Sequence, residues 1–217
     1  MSDPTLFRYR VTFPKAGRLA MLSHLELTHA LERMIRRAGL PFAVTQGFSP
    51  HMKIGFGAAL PVGVGSTCEI FDLYLTAYLA PSRVLDSLQA AAPPDLRPSQ
   101  VVGVSAKEPA ATLVFPVSFY GALIEPAEDG EWQGLKVPEV IEVVKETKVR
   151  TFPVAEYLRH VPSLSVDGEG RILIRFALEF SQNGALRPDV FLERLLEESG
   201  IAGRVLSLTR VRQSRQA

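Results

Sequence analysis

Cysteine is almost absent: Cys68 is the one thiol in 217 residues. That scarcity excludes an internal disulfide, and it excludes an iron–sulfur cluster held by several thiolates of this chain. Cys68 lies within an apolar alternating run, which makes it a small core or sheet residue. Long apolar runs are missing too, since no stretch approaches the roughly 18 apolar residues that a membrane span needs. The opening Met1-Ser2-Asp3-Pro4 lacks the basic and then apolar pattern of a secretory signal. These absences lead to the expectation of a cytoplasmic protein with no membrane partner. Nucleotide-binding glycine patterns are incomplete. "GFGAAL" and "GVGSTC" each begin like a dinucleotide loop, but Leu60 and Cys68 stand where the third glycine belongs. Metal ligands are sparse as well. His24 and His29 are five residues apart, a spacing that puts them on different sides of a helix. Neither a cofactor nor a metal is expected.

What is present is a globular composition, 47% hydrophobic and 22% charged, in a chain long enough for one large domain or two small ones. The net charge of +1 conceals an asymmetry. Residues 1–60 carry eight Lys or Arg against three acids, a surplus of five, so the remainder carries a deficit of four. Three of the four histidines fall in that basic segment. Such a segment suits an anionic partner such as RNA or a phosphate, although charge alone equally describes a solvated helix face.

Periodicity supplies the fold. "LFRYRVTF" alternates, with Phe7, Tyr9, Val11 and Phe13 on one side and Arg8, Arg10 and Thr12 on the other, as a half-buried strand does. Ser23 and Glu26 form a capping box, after which Leu27, Leu31, Met34, Ile35 and Ala38 recur at helical spacing until Gly39. Strands are expected around 51–57 and 67–76. A helix opens at Pro81, and "LRPSQVVGVS" gives a fourth strand. The order βαββαβ is the ferredoxin-like split-βαβ pattern. After a linker at 106–111, "TLVFPVSFYGALI" reads as a strand interrupted at Pro116, and "VPEVIEVVKE" as a short helix. "RILIRFALEF" alternates, with Ile172, Ile174, Phe176, Leu178 and Phe180 on one face. Pro188 opens a helix, and "GRVLSLTRV" closes as a strand. The strands of 124–165 have no readable pattern. The fold class expected is α+β, two ferredoxin-like units in tandem over 1–105 and 112–217, the second degenerate.

Candidate binding residues converge on the basic segment. Arg18, Ser23 and His24 surround the start of the first helix, whose free N–H groups favour an anion. Arg33 and Arg37 lie on that helix, and Gln46, Phe48, His51 and Lys53 fall in "TQGFSPHMKIGFG". In a split-βαβ unit these groups are expected to face one cleft. Ser23 as a plain cap, and Arg36 as a partner of Glu32 one turn back, are the simpler readings of those two residues. The open face of the first sheet offers Tyr74 among Ile70, Asp72 and Thr76, so the aromatic platform of an RNA-recognition motif is missing there. Arg10 and Asp72 are placed to pair across strands instead.

The stretch "GRLAMLSHLELTHALERMIRRAGLPFAVTQGFSPHMKIGFGAALPVGV" resembles the bacterial radical-SAM-associated (radical-SAM-linked) proteins, specifically over about residues 6–76 and more loosely beyond. Ser49 stands where that family usually has Asn, and Glu26 where it usually has Asp. In that family the domain lies beside a radical SAM enzyme or is fused to its C-terminus. The resemblance implies a partner rather than a reaction. A radical SAM enzyme holds its cluster with three cysteines, so this chain is not that enzyme. The expectation is a non-catalytic substrate- or RNA-binding adaptor for a separately encoded radical SAM protein. An RNA-processing enzyme with His24 or His51 as general base is the alternative, by analogy with paired ferredoxin-like nucleases, and a protein-interaction scaffold is the third.

Overall fold

Strand β1 (Phe7–Lys15) forms where every second side chain has an apolar layer to enter: Tyr9, Val11 and Phe13 are buried. Strand β3 (Gly65–Leu75) presents Phe71, Leu73 and Leu75 to the same layer and runs antiparallel to β1, with Tyr9 opposite Leu73 and Arg10 opposite Asp72. Strand β4 (Gln100–Val104) pairs antiparallel with β1, and β2 (Ile54–Phe56) pairs antiparallel with β3, giving the order β4-β1-β3-β2. Helix α1 (His24–Arg37) and helix α2 (Pro81–Ala91) cover the apolar face. Leu27, Leu31, Met34 and Ile35 of the first and Val84 and Leu88 of the second are buried in one cluster with the strand residues. The amphipathic spacing dictates this packing, because residues three and four apart share a helix face.

The computed structural model describes residues 6–127, 132, 134–145, 148–180 and 184–215. Residues 1–5 of the expected first unit and Glu146, the end of an expected helix, lie outside them. The chain divides into two mixed α+β units between Val114 and Phe115. The segment expected as a linker, 106–111, is tied to the sheet of the first unit. The Glu108 and Pro109 carbonyls accept hydrogen bonds from Arg8, and Ala111–Val114 forms a single helical turn, α3, with Ala111 buried.

In the second unit, β5 (Val117–Pro126), β8 (Leu158–Val166), β9 (Ile172–Glu179) and β10 (Gly203–Ser214) form a sheet in the order β10-β5-β9-β8, with antiparallel pairings. Helix α5 (Pro188–Glu198) buries Phe191, Leu192, Leu195 and Leu196, with Phe191 against Phe176 of β9. Two expectations are corrected here. "VPEVIEVVKE" is not a helix but strand β6 (Val140–Lys145), paired with β7 (Lys148–Pro153). Its β-branched Val140, Ile141, Val143 and Val144 suit a pleated ribbon, and Ile141 and Phe152 are opposite one another and buried. Pro116 does not interrupt a strand. The strand begins after it, and the Pro116 carbonyl accepts the Phe180 N–H. The turn Val154–Tyr157, α4, joins the ribbon to β8. Among the described residues no helix is long and apolar enough to cross a membrane.

Leu31 is completely buried between α1 and the sheet. Leu31→Ala should therefore cost about 2–5 kcal/mol in denaturant unfolding. A loss under about 1 kcal/mol would show that the helix face is not packed. Asp72→Ala should cost about 3–5 kcal/mol in the same measurement, because the buried Arg8 and Arg10 guanidinium groups both donate to that carboxylate and would be stranded.

Candidate functional site

After α1 the chain runs beside the end of β3. The Ala43 N–H donates to the Tyr74 carbonyl at 2.8 Å, and the Thr76 N–H to the Pro41 carbonyl at 2.8 Å. It then reverses. The Thr45 N–H meets the His51 carbonyl at 2.7 Å, the His51 N–H meets Thr45 Oγ1 at 3.0 Å, and the Lys53 N–H meets the Ala43 carbonyl at 2.8 Å. "TQGFSPHMKIGFG" is thus the tip and return arm of a hairpin-like excursion. Gly47, at φ +132°, makes the tip, and Phe48 projects from it fully exposed. Met52 of the return arm is buried, which anchors the excursion to the core.

Beneath that excursion lies a cavity of about 760 Å3 on the sheet face away from α1 and α2. Lys53, Gln46, Tyr74 and Arg8 line it together with apolar Leu6 and Val44. The Lys53 ammonium stands 5.0 Å from the centre of the Tyr74 ring, and the Arg8 guanidinium 5.8 Å from it. The two cations differ in availability. Arg8 is committed to Asp72 and to two backbone carbonyls. Lys53 has no acidic partner among the described residues. An ammonium over an aromatic face, beside an amide side chain and an apolar wall, can hold an organic anion by charge, hydrogen bonds and contact area.

The remaining expected site residues are placed elsewhere. His51 is exposed at the tip, its Nε2 3.3 Å from Ser49 Oγ. Ser23, His24, Arg33 and Arg37 belong to α1 or its cap, in the helical layer across the sheet from the cavity, and Arg18 is exposed in the turn before them. The His24 ring packs edge-on against Phe56 at 4.8 Å, and Arg37 donates to the Ala91 carbonyl at 2.7 Å. The single cleft expected from the sequence therefore divides. Gln46 and Lys53 share a cavity that Ser23 and Arg18 do not line. The reason is the two-layer build: α1 covers the face holding Tyr9 and Leu73, while Tyr74, one residue on, points the other way.

The chain belongs to DUF2344, a family of uncharacterized proteins conserved in bacteria, whose model matches residues 8–188. No curated protein matches it. Among solved structures it is similar to a chain in the crystal structure of a Cbf5-Nop10-Gar1 complex, at 13% identity and a TM-score of 0.47. That likeness covers 94% of this chain and 48% of the other, so the DUF2344 chain spans about half the length of that match. An unknown protein from Galdieria sulphuraria is similar at 14% identity and a TM-score of 0.29, over 93% of this chain and 98% of that one.

In this DUF2344 chain the anion position at the start of α1 is filled from within. The Ser23 N–H and hydroxyl both donate to Glu26 Oε2, at 2.8 and 2.7 Å, and the Glu26 N–H returns to Ser23 Oγ at 3.4 Å. These donors, the backbone N–H first, hold the Glu26 carboxyl below its ordinary 4.5. Because the folded value is depressed, the cap's contribution is present above the ordinary carboxylate range and is lost as pH falls through the folded value. Arg8 and Tyr74 line the cavity although sequence reasoning treated them as sheet residues. The available signal was that both sit on the polar side of an alternating strand. Ser23→Ala should move the Glu26 carboxyl upward toward 4.5, read by NMR titration of its side chain. The backbone N–H of residue 23 remains in that variant, so the rise should be partial, and an unchanged value would show that the Ser23 hydroxyl does not contribute.

Proposed function

We propose that this chain is a non-catalytic adaptor that binds an anionic substrate, RNA included, and presents it to a separate radical SAM enzyme in the cytoplasm. The observation that carries the reading is the cavity under the 41–53 excursion, where Lys53 offers a cation with no acidic partner among the described residues. Its volume, about 760 Å3, lies within the range of ligand pockets. The pairing with a radical SAM enzyme rests on the resemblance of the stretch from Gly17 to Val64, which includes the whole excursion. We read each unit as a ferredoxin-like one. The strand orders β4-β1-β3-β2 and β10-β5-β9-β8 support this, with the β6–β7 ribbon standing where the second unit would have its first helix. The exposed Arg33 and the surface around it add a basic helix face that suits a longer polyanion.

The test is co-expression with the radical SAM protein, followed by co-purification and identification of the bound small molecule or RNA by mass spectrometry and sequencing. Lys53→Gln should abolish the recovered ligand while changing stability by no more than about 0.5 kcal/mol, as surface substitutions usually do. Recovery of the same ligand in the same amount from the variant would overturn the reading. For an RNA ligand, Arg33→Ala together with Arg37→Ala should weaken binding to many sequences about equally and flatten its salt dependence.

A further inference from the structure

The second unit has a cavity of its own. On the face of its sheet away from α5, one row crosses all four strands in register: Arg212 of β10 lies opposite Phe119 of β5, Phe119 opposite Ala177 of β9, and Ala177 opposite His160 of β8. A second row sets Gly121 opposite Arg175, and Arg175 opposite Ser163. Two strands bulge at this level, β10 between Arg210 and Arg212 and β8 between His160 and Ser163. Bulges re-aim side chains, and here they bring long ones together over a floor of small residues. The Arg212 guanidinium lies 3.8 Å from the centre of the Phe119 ring, and the His160 ring is stacked at 5.5 Å from it, tilted by 30°. Together they border a cavity of about 330 Å3, which Arg175, Val161 and Ser163 help to line.

Charge and aromaticity coincide here without neutralisation. Neither Arg175 nor Arg212 has an acidic partner among the described residues. The nearby carboxylate on β9, Glu179, is paired with Arg159. His160 makes its contact through the ring face, and among the described residues its ring nitrogens have no hydrogen-bond partner. An inorganic anion would use the two guanidinium groups but not the Phe119–His160 stack, and a neutral aromatic would use the stack alone. A nucleotide uses both: its base lies against the aromatic wall, and its phosphate meets planar guanidinium forks. We infer that this cavity binds a nucleotide, with the base on Phe119 and His160 and the phosphate on Arg175 and Arg212. The inference shares no residue with the Lys53 cavity, so its failure leaves the adaptor reading intact.

Two probes distinguish the sources of such a ligand. Fluorescence anisotropy with labelled ten-nucleotide oligo(U) and oligo(A) RNA reads a strand, and calorimetry with AMP and UMP reads a free nucleotide, both on the full chain. Phe119→Leu keeps apolar bulk and removes the π face. It should weaken binding by roughly five- to hundredfold, the range for one stacked base. Arg175→Gln with Arg212→Gln should lower the log–log salt slope for the strand by about 1.4, the value for two phosphate contacts on a single strand. Binding of the strands alone assigns the site to RNA. Mononucleotide binding with the same sensitivity to Phe119→Leu assigns it to a free nucleotide. The inference is overturned if neither probe binds at low salt, or if both variants bind as the unsubstituted chain does. If thermal melting shows Phe119→Leu to be unfolded, the exposed arginine pair decides, and an unchanged slope overturns the inference.

Discussion

Asp72 holds the first unit in register. Its carboxylate receives Arg10 Nε at 2.8 Å and Arg8 Nε at 3.1 Å, all three side chains being nearly inaccessible to solvent. Two cations on one anion leave donors over, and the chain supplies acceptors for them: Arg8 reaches the Glu108 and Pro109 carbonyls, and Arg10 lies 3.6 Å from the Glu108 carboxylate. A buried ion cluster of this kind adds little over an apolar replacement of equal volume, but losing one member costs several kcal/mol. Its value here is positional. A slip of β1 by one residue would carry Arg8 and Arg10 to the face of Leu31 and Leu73, where nothing pairs with them.

That constraint divides the unit into two surfaces. The apolar side accepts α1 and α2 and takes the exposed basic residues of α1 with them. The polar side keeps Tyr74 beside the cluster, and because Arg8 is already spent on Asp72, Lys53 is left as the available cation of the cavity. The α1 start shows the same economy of charge. Glu26 occupies the Ser23 N–H and hydroxyl, two donors that an outside anion at that cap would otherwise use.

The strands of the second unit reverse the arrangement of the first. Their face away from α5 carries aromatic and cationic side chains with no buried carboxylate among the described residues to bind them, while Tyr120, Ile174 and Phe176 fill the other face. On the first unit Tyr74 stands alone, with no aromatic platform around it. The grouping at Phe119 is invisible in the sequence, since His160 and Arg212 are separated from it by long stretches of chain, and only strand pairing makes them neighbours.

Local chemistry made much of this protein readable from its residues. Alternation marked β1 and β9, helical spacing with a capping box marked α1, and Pro188 marked the start of α5, because side-chain period and backbone capping are properties of a few adjacent residues. The Arg10–Asp72 pair was legible too, since opposite charges at matching positions of two alternating strands meet when those strands pair. The β6–β7 ribbon was not, because Val140–Val144 suits a buried helix segment or a strand until a partner arrives, and β7 decided it. Nor did the residues themselves disclose which basic groups share a cavity. That depended on which face of the sheet α1 covered and on which arginines Asp72 and Glu108 had already claimed. Both are contacts between residues far apart in the chain, settled only by tertiary packing.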